Sequence, residues 1–142
     1  MADKLNWSYV NAEWKKATER IVTDPSAAVT TSRALLETVC MHILEARRLE
    51  YIWDGDLPKL YRTAASVLNI YPDKQQEDTF KRLLGACTTI INSVAALRNV
   101  LGDAHGHGMN VKEAEQRHAR LAVNAASTLA LFLMETHLAY AE

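Results

Sequence analysis

Residues 80–97 read FKRLLGACTTIINSVAAL, and this stretch decides the fold class. Apolar residues return in it at every third or fourth position, which is the period of an α-helix with one buried face. The same spacing runs through the rest of the chain, which only five glycines and three prolines interrupt. The sequence therefore predicts an all-α fold. The apolar positions of the stretch are Phe80, Leu83, Leu84, Cys87, Ile90, Ile91, Val94 and Leu97.

Polar pairs at the spacing of a capping box mark the starts of the last two long helices. Asp73 and Gln76 should begin the helix that contains the quoted stretch, and Asn110 and Glu113 should begin the last helix. Gly85, inside the first of these helices, indicates close approach by a neighbouring element.

The last helix should run to about residue 139 and is apolar almost all round between Ala119 and Met134. A helix without a polar face must be covered on several sides. The sequence leaves two arrangements open, which are a place at the centre of its own bundle and partial coverage by a second chain.

Upstream, Asp24 and Pro25 supply an N-cap followed by a proline in the first helical turn, which predicts the start of another long helix. A first helix over about residues 5–22 and a short one over about residues 57–69 complete the set. We expect one domain over residues 1–142, built as an up-and-down bundle of four main helices and one short helix. Its three tryptophans should be core anchors rather than platforms on which bases stack; they are Trp7, Trp14 and Trp53.

Composition limits the kinds of partner and the cellular compartment that we expect for this protein. Apolar residues make up 49% of the chain and charged residues 23%, as in globular proteins, and the net charge of -1 means that any RNA contact must be local. Cys40 and Cys87 lie within apolar helical patterns and are expected to be free thiols. The N-terminus lacks a signal-peptide core, and the uncharged run of residues 121–134 is short for a membrane span. We expect a cytoplasmic protein with no membrane partner.

Residues 98–108, RNVLGDAHGHG, form a polar, glycine-spaced segment between the last two long helices. Arg98 lies one turn beyond Val94, at the edge of the buried face, and His105 follows in a glycine-rich turn. A guanidinium binds phosphate oxygens with a planar fork, and an imidazole transfers protons near neutral pH. Together they suit cleavage of RNA through its 2′-hydroxyl without a metal. Asn99 could bond the phosphate or orient His105.

With its context, this segment resembles a known family. LRNVLGDAHGHG, followed by RHARLAVNAASTLALFLMET, resembles the abortive-infection C-terminal domain, a branch of the HEPN (higher eukaryote and prokaryote nucleotide-binding) superfamily. The segment DPSAAVTTSRALLETVCMHIL is similar to the second helix of that family, so the resemblance covers about residues 22–136. The HEPN signature is an arginine, a polar residue and, after a short gap, a histidine. Arg98, Asn99 and His105 match it.

The resemblance implies a function and partners. It implies a metal-independent endoribonuclease of a bacterial antiviral or toxin–antitoxin system, with two motifs facing each other across a homodimer. RNA would be the substrate, and an antitoxin or a sensor protein could be a further partner. Some HEPN toxins carry a tyrosine two residues after the histidine, where this chain has His107, so regulation through such a tyrosine is not implied.

Each site residue also has a structural alternative. Arg98 could bond the last helix carbonyls or pair with Asp103. His105 and His107 could form a metal pair, but a site normally needs three or four ligands, so we expect no metal and no cofactor.

Two further residues could support the site from the second long helix. Arg33 and Glu37 could form an ordinary i,i+4 ion pair, or Glu37 could instead hold the guanidinium of Arg98.

The competing hypothesis on function is a non-catalytic HEPN module. Such a module would dimerise, bind a nucleotide or bind a partner protein, and its arginine and histidine would serve structure or nucleotide contact. The net acidity of the chain and its lack of a continuous basic stripe favour this reading.

Overall fold

The computed structural model describes residues 6–70, 77–102 and 115–139, and this part of the chain forms five α-helices without a strand. The predicted all-α fold is therefore confirmed. The helices are α1 Trp7–Thr23, α2 Pro25–Ala46, α3 Leu57–Val67, α4 Asp78–Gly102 and α5 Gln116–Ala139.

The helices α2 and α5 form the centre of the bundle. They make the most extensive helix–helix contact of the described part, and α1 packs against both. The short helix α3 and the long helix α4 pack against α2 and against each other, and α4 also touches α5. The apolar last helix thus packs at the centre of its own bundle. This is the first of the two arrangements that the sequence left open.

By length and composition, α5 could also cross a membrane. The apolar window that meets this criterion is longer than the uncharged run of residues 121–134, because a few charged residues are permitted in it. However, 50% of that window is buried against the other helices. Such burial is typical of the core helix of a globular bundle.

Local capping explains where α2 begins. The Ala27 backbone N–H donates to Asp24 Oδ1 at 3.1 Å, and Pro25 occupies the first helical turn. The carboxylate satisfies a donor that has no partner within the helix, and the proline lacks the N–H that would otherwise need one. The predicted start of this helix is confirmed.

The helix α4 begins later than the sequence predicts. Glu77 accepts hydrogen bonds from the backbone N–H groups of Thr79 and Phe80, at 2.9 and 3.2 Å. A glutamate reaches the free donors of the first turn as an N-cap side chain does, so Glu77 caps the start of α4. The predicted boxes themselves, Asp73 with Gln76 and Asn110 with Glu113, lie outside the described residues.

The tryptophans are not the core anchors that their size predicts. Trp7 is 55% exposed, Trp14 37% and Trp53 38%. On α1 the inward stripe consists of smaller side chains, Val10, Ala17 and Ile21, which are almost completely buried. Both indoles of α1 lie to one side of that stripe, where neither α2 nor α5 covers them fully.

The helix α4 is covered along only part of its apolar stripe. Leu84, Ile91 and Val94 are buried, whereas Phe80 is 49% exposed and Leu83 60% exposed. Coverage thus begins at Leu84, and the first turns of the same stripe remain open.

Gly85 lies on the opposite side of α4. A Cβ atom placed on it would meet no described atom within 4 Å. The predicted close approach of a neighbour at this glycine is therefore wrong within the described chain.

Candidate functional site

The helix α4 carries the first two residues of the predicted motif in its last turns. Arg98 follows buried Val94 by four residues and buried Ile91 by seven, so its helix position continues the buried stripe. Asn99 follows Ala95 by four residues and Asn92 by seven, and its position continues a different face. The helix backbone is described through both positions, whereas the side chains of residues 98–100 lie outside the described part.

The remaining motif residues fall after α4. His105, Asp103 and His107 lie outside the described residues. The association of His105 with Arg98 and Asn99 therefore stays a prediction from the sequence, as does pairing of Arg98 with Asp103.

The predicted pair on α2 is confirmed, and the structure shows that it is buried. Arg33 Nε donates to Glu37 Oε2 at 2.8 Å, and the side chains of the two residues are only 6% and 20% exposed. A guanidinium is rarely buried unless its charge is paired, and here the carboxylate one turn further along the helix supplies the counter-charge. Whether Glu37 also reaches Arg98 stays a prediction.

The same guanidinium binds two other parts of the chain. Nη2 donates to the Gly55 carbonyl at 2.9 Å, and Nη1 donates to the Ala95 carbonyl at 3.3 Å. Arg33 thereby joins α2, the turn before α3, and α4 at a point three residues before Arg98. Both acceptors are backbone atoms distant in sequence, so no local pattern could have indicated them.

A cleft of about 400 Å³ opens beside this buried arginine. Its walls come from the start of α3 with the preceding turn and from one face of α4. The α4 positions are Asn92, Ala95 and Ala96, and Asn99 occupies the next position on that face by helical register. The cleft therefore leads along α4 toward the predicted motif.

The buried thiol of Cys40, which follows Glu37 on α2, is not a nucleophile. Burial, and secondly the negative charge of Glu37, raise the pKa of Cys40 to about 12. A thiol becomes a nucleophile or a metal ligand as the thiolate, and Cys40 stays protonated throughout the physiological range. It acts as a core residue, as the sequence predicts for a free buried cysteine.

Metal ligands do not gather in the described part of the chain. No group of three histidine, cysteine or acidic side chains lies close enough there to hold an ion. The candidate pair of His105 and His107 is outside that part.

Comparison with known proteins identifies one relationship. A family model, Abi_C, described as a HEPN-like domain, matches residues 8–137. The match extends from the first turn of α1 to the last turn of α5 and includes the whole segment 98–108. No curated protein and no solved structure matches the chain.

Proposed function

The chain belongs to the HEPN-like domain family Abi_C, and on that premise we propose that it is a metal-independent RNA endonuclease that acts as a homodimer. The observation that carries the proposal is the placement of Arg98 and Asn99 at the end of α4 in a chain that the family model matches over almost its whole length. Arg98 is of a residue type that binds phosphate, and Asn99 carries an amide. By helical register their positions lie on neighbouring faces of α4.

The proposed chemistry needs three groups. His105 removes the proton of a ribose 2′-hydroxyl, and the 2′-oxygen attacks the adjacent phosphorus. The bond from phosphorus to the 5′-oxygen breaks, and that oxygen takes a proton from the imidazolium of His105, which leaves a cyclic phosphate, a free 5′-hydroxyl and the neutral imidazole. Arg98 neutralises the phosphate oxygens with its planar fork, and Asn99 binds a phosphate oxygen or orients the imidazole.

A homodimer is supported by the open part of α4. The exposed side chains of Phe80 and Leu83 adjoin buried positions of the same stripe, so a second copy could extend the core there. Exposed apolar patches continuous with a core often mark protein–protein contacts, and identical chains most often pair by two-fold symmetry. Two copies would bring two motifs into one assembly.

The cellular setting is part of the same proposal. A nuclease of this kind would act in the cytoplasm, within a bacterial antiviral or toxin–antitoxin system, and an antitoxin or sensor protein would restrain or activate it. With a net charge of -1, contact with RNA would have to be local, because the whole molecule does not attract nucleic acids in general.

The test is cleavage of total RNA in EDTA by the full chain and by His105→Ala and Arg98→Ala. We expect a loss of at least about a hundredfold in His105→Ala, the usual effect of removing an acid–base group. Arg98→Ala should lose about as much, because it removes the charge that stabilises the phosphate oxygens in the transition state. His118→Ala and Arg117→Ala are matched controls, since both side chains are exposed on α5, and they should cleave like the parent protein. Undiminished cleavage by His105→Ala would disprove the proposed mechanism.

The second candidate is the non-catalytic HEPN module, which the acidic net charge favours. It predicts that the parent protein leaves every RNA intact and that Arg98→Ala weakens the dimer or the fold. A shift of the melting temperature with a panel of nucleotides would then separate nucleotide binding from binding of a protein partner.

A further inference from the structure

The helices α1 and α5 enclose a groove to which α4 contributes no residue. Each of the two helices lines it with residues spaced by three or four positions, so one face of each helix forms one wall. The volume is about 250 Å³. The side chains that give the groove its chemistry are Trp7, Asn11 and Trp14 on α1 and Asn124, Ser127 and Thr128 on α5.

Two indole rings stand at this groove and remain in contact with solvent. Trp7 is 55% exposed and Trp14 37% exposed, although smaller apolar residues of the same helix are buried. An indole offers a flat apolar surface on which another aromatic ring can stack, and bases of every type stack on such side chains.

The opposite wall provides hydrogen-bonding groups with a defined orientation. Trp14 Nε1 donates to Asn124 Oδ1 at 2.9 Å, which turns the amide so that its NH₂ group remains as a donor. Ser127 is only 8% exposed, and its hydroxyl has no hydrogen-bond partner among the described residues. Buried hydroxyls normally have partners, so this wall is suited to a ligand with polar edges.

The groove is small, and none of the described residues that line it carries a formal charge. Among these residues, none would neutralise a phosphate. Its volume lies below the roughly 300–1,000 Å³ of sites for drug-sized ligands, which suits one ring system rather than a helix or strand of a partner. Flat apolar faces with donors and acceptors along the edge are the properties of a nucleobase.

We propose that the groove between α1 and α5 binds a nucleobase. The base could belong to a free nucleoside or nucleotide, or to an unpaired residue of an RNA strand. Because α4 carries Arg98 and Asn99 and does not line the groove, this site is separate from the described part of the motif. It does not depend on the proposed nuclease activity, and binding can be measured without cleavage.

The experiment measures binding by titration calorimetry, using the four ribonucleosides and a short single-stranded oligoadenylate as probes. The protein is the full chain with His105→Ala, so that the RNA probe stays intact. We expect Trp7→Ala and Asn124→Ala, added separately, to weaken binding by at least about tenfold, as removal of a stacking ring commonly does. Trp53→Ala removes a partly exposed tryptophan that does not line the groove and should leave the affinity unchanged.

The probes also distinguish the two sources of the base. If a nucleoside binds as tightly as the oligoadenylate, the groove recognises the base alone. If the oligoadenylate binds and no nucleoside does, the groove recognises a base within an RNA strand. The proposal is overturned if no probe binds, or if the affinity is the same in Trp7→Ala and Asn124→Ala as in their parent. Circular dichroism checks that each variant remains helical, and the exposure of both side chains favours that outcome.

Discussion

At the scale of single residues, Arg33 connects three segments of the chain that are separated in sequence. One guanidinium binds Glu37 on its own helix and the carbonyls of Gly55 and Ala95 on two other segments. Because the side chain is buried, each of these bonds replaces one that water would otherwise make. The residue therefore fixes the turn before α3 and the approach of α4 to α2.

We expect Arg33→Met to lower the free energy of unfolding by about 3 kcal/mol or more. The change leaves the partly buried Glu37 carboxylate and two carbonyls without their donor, and breaking one side of a buried ion pair is costly. Urea unfolding followed by circular dichroism would measure the loss. The control is Lys59→Met, which breaks the exposed pair of Lys59 with Asp54 and should cost less than about 1 kcal/mol. Equal losses in the two variants would show that burial of the pair is unimportant.

The stability of the protein should also depend on Cys40 at alkaline pH. The folded state keeps the thiol proton up to a pKa of about 12, whereas the unfolded chain releases it near the ordinary value of 9.0. Deprotonation therefore favours the unfolded state between these values, and the contribution of Cys40 to stability falls by about 1.4 kcal/mol per pH unit.

The measurement for Cys40 is urea unfolding at a series of pH values from 8 upward. We expect the free energy of unfolding to decline less steeply with pH in Cys40→Ala than in the parent protein. Cys87→Ala is the matched control, because burial raises the pKa of that half-buried thiol as well, though less, and its slope should change less. If the free energy of unfolding declined as steeply with pH in Cys40→Ala as in the parent protein, the raised pKa of Cys40 would be contradicted.

At the scale of elements, α4 differs from the central helices because its surroundings change along its length. Its apolar stripe is covered from Leu84 onward and open at Phe80 and Leu83. The face that carries Gly85 meets no described atom at the position of a Cβ. Glycine there contributes only backbone freedom, which disfavours a helix.

Gly85→Ala should therefore raise the free energy of unfolding by about 0.5–1 kcal/mol. The added methyl group meets open space, and the loss of freedom in the unfolded chain favours the helix. The neighbouring change Ala86→Gly, at an exposed position of the same helix, should lower the stability by a similar amount. Thermal or urea unfolding would detect both shifts, and destabilisation by Gly85→Ala would indicate a contact at this face that the described residues do not show.

At the scale of the whole molecule, the arrangement of helices leaves one end of the α4 stripe and the α1–α5 groove uncovered. The core itself is shared by all five helices of the described part, so an uncovered apolar stretch continuous with it is available for another chain. We propose that a second copy packs against the α4 end and that a nucleobase occupies the groove.

If the proposed dimer forms through the open end of α4, Leu83→Glu should convert it into a monomer without unfolding the chain. A carboxylate at the centre of an apolar contact would be buried without a partner, while in the isolated chain the 60% exposed position keeps it hydrated. Light scattering would report the mass, and RNA cleavage should fall with dimer formation. The control is Ile52→Glu, a change at a 76% exposed apolar residue before α3, which should leave the mass unchanged. A dimer that tolerates Leu83→Glu would place the interface elsewhere.

The sequence by itself determined that the described chain is helical and where α2 begins. Each depends on residues within a few positions of one another, as with the carboxylate of Asp24 and the N–H of Ala27, or the regular return of apolar residues in α4. The family resemblance drawn from the same local strings was confirmed by the match over residues 8–137.

Only the tertiary structure decided which apolar faces are covered and which polar groups meet. Arg33 finds its carbonyl acceptors 22 and 62 residues away, and Trp14 finds Asn124 at a separation of 110. Helical periodicity places a side chain on a face, but the packing of other helices determines how far that face is buried. Trp7 and Leu83 are exposed for this reason, because the helices that could have covered them pack beside their positions and not over them.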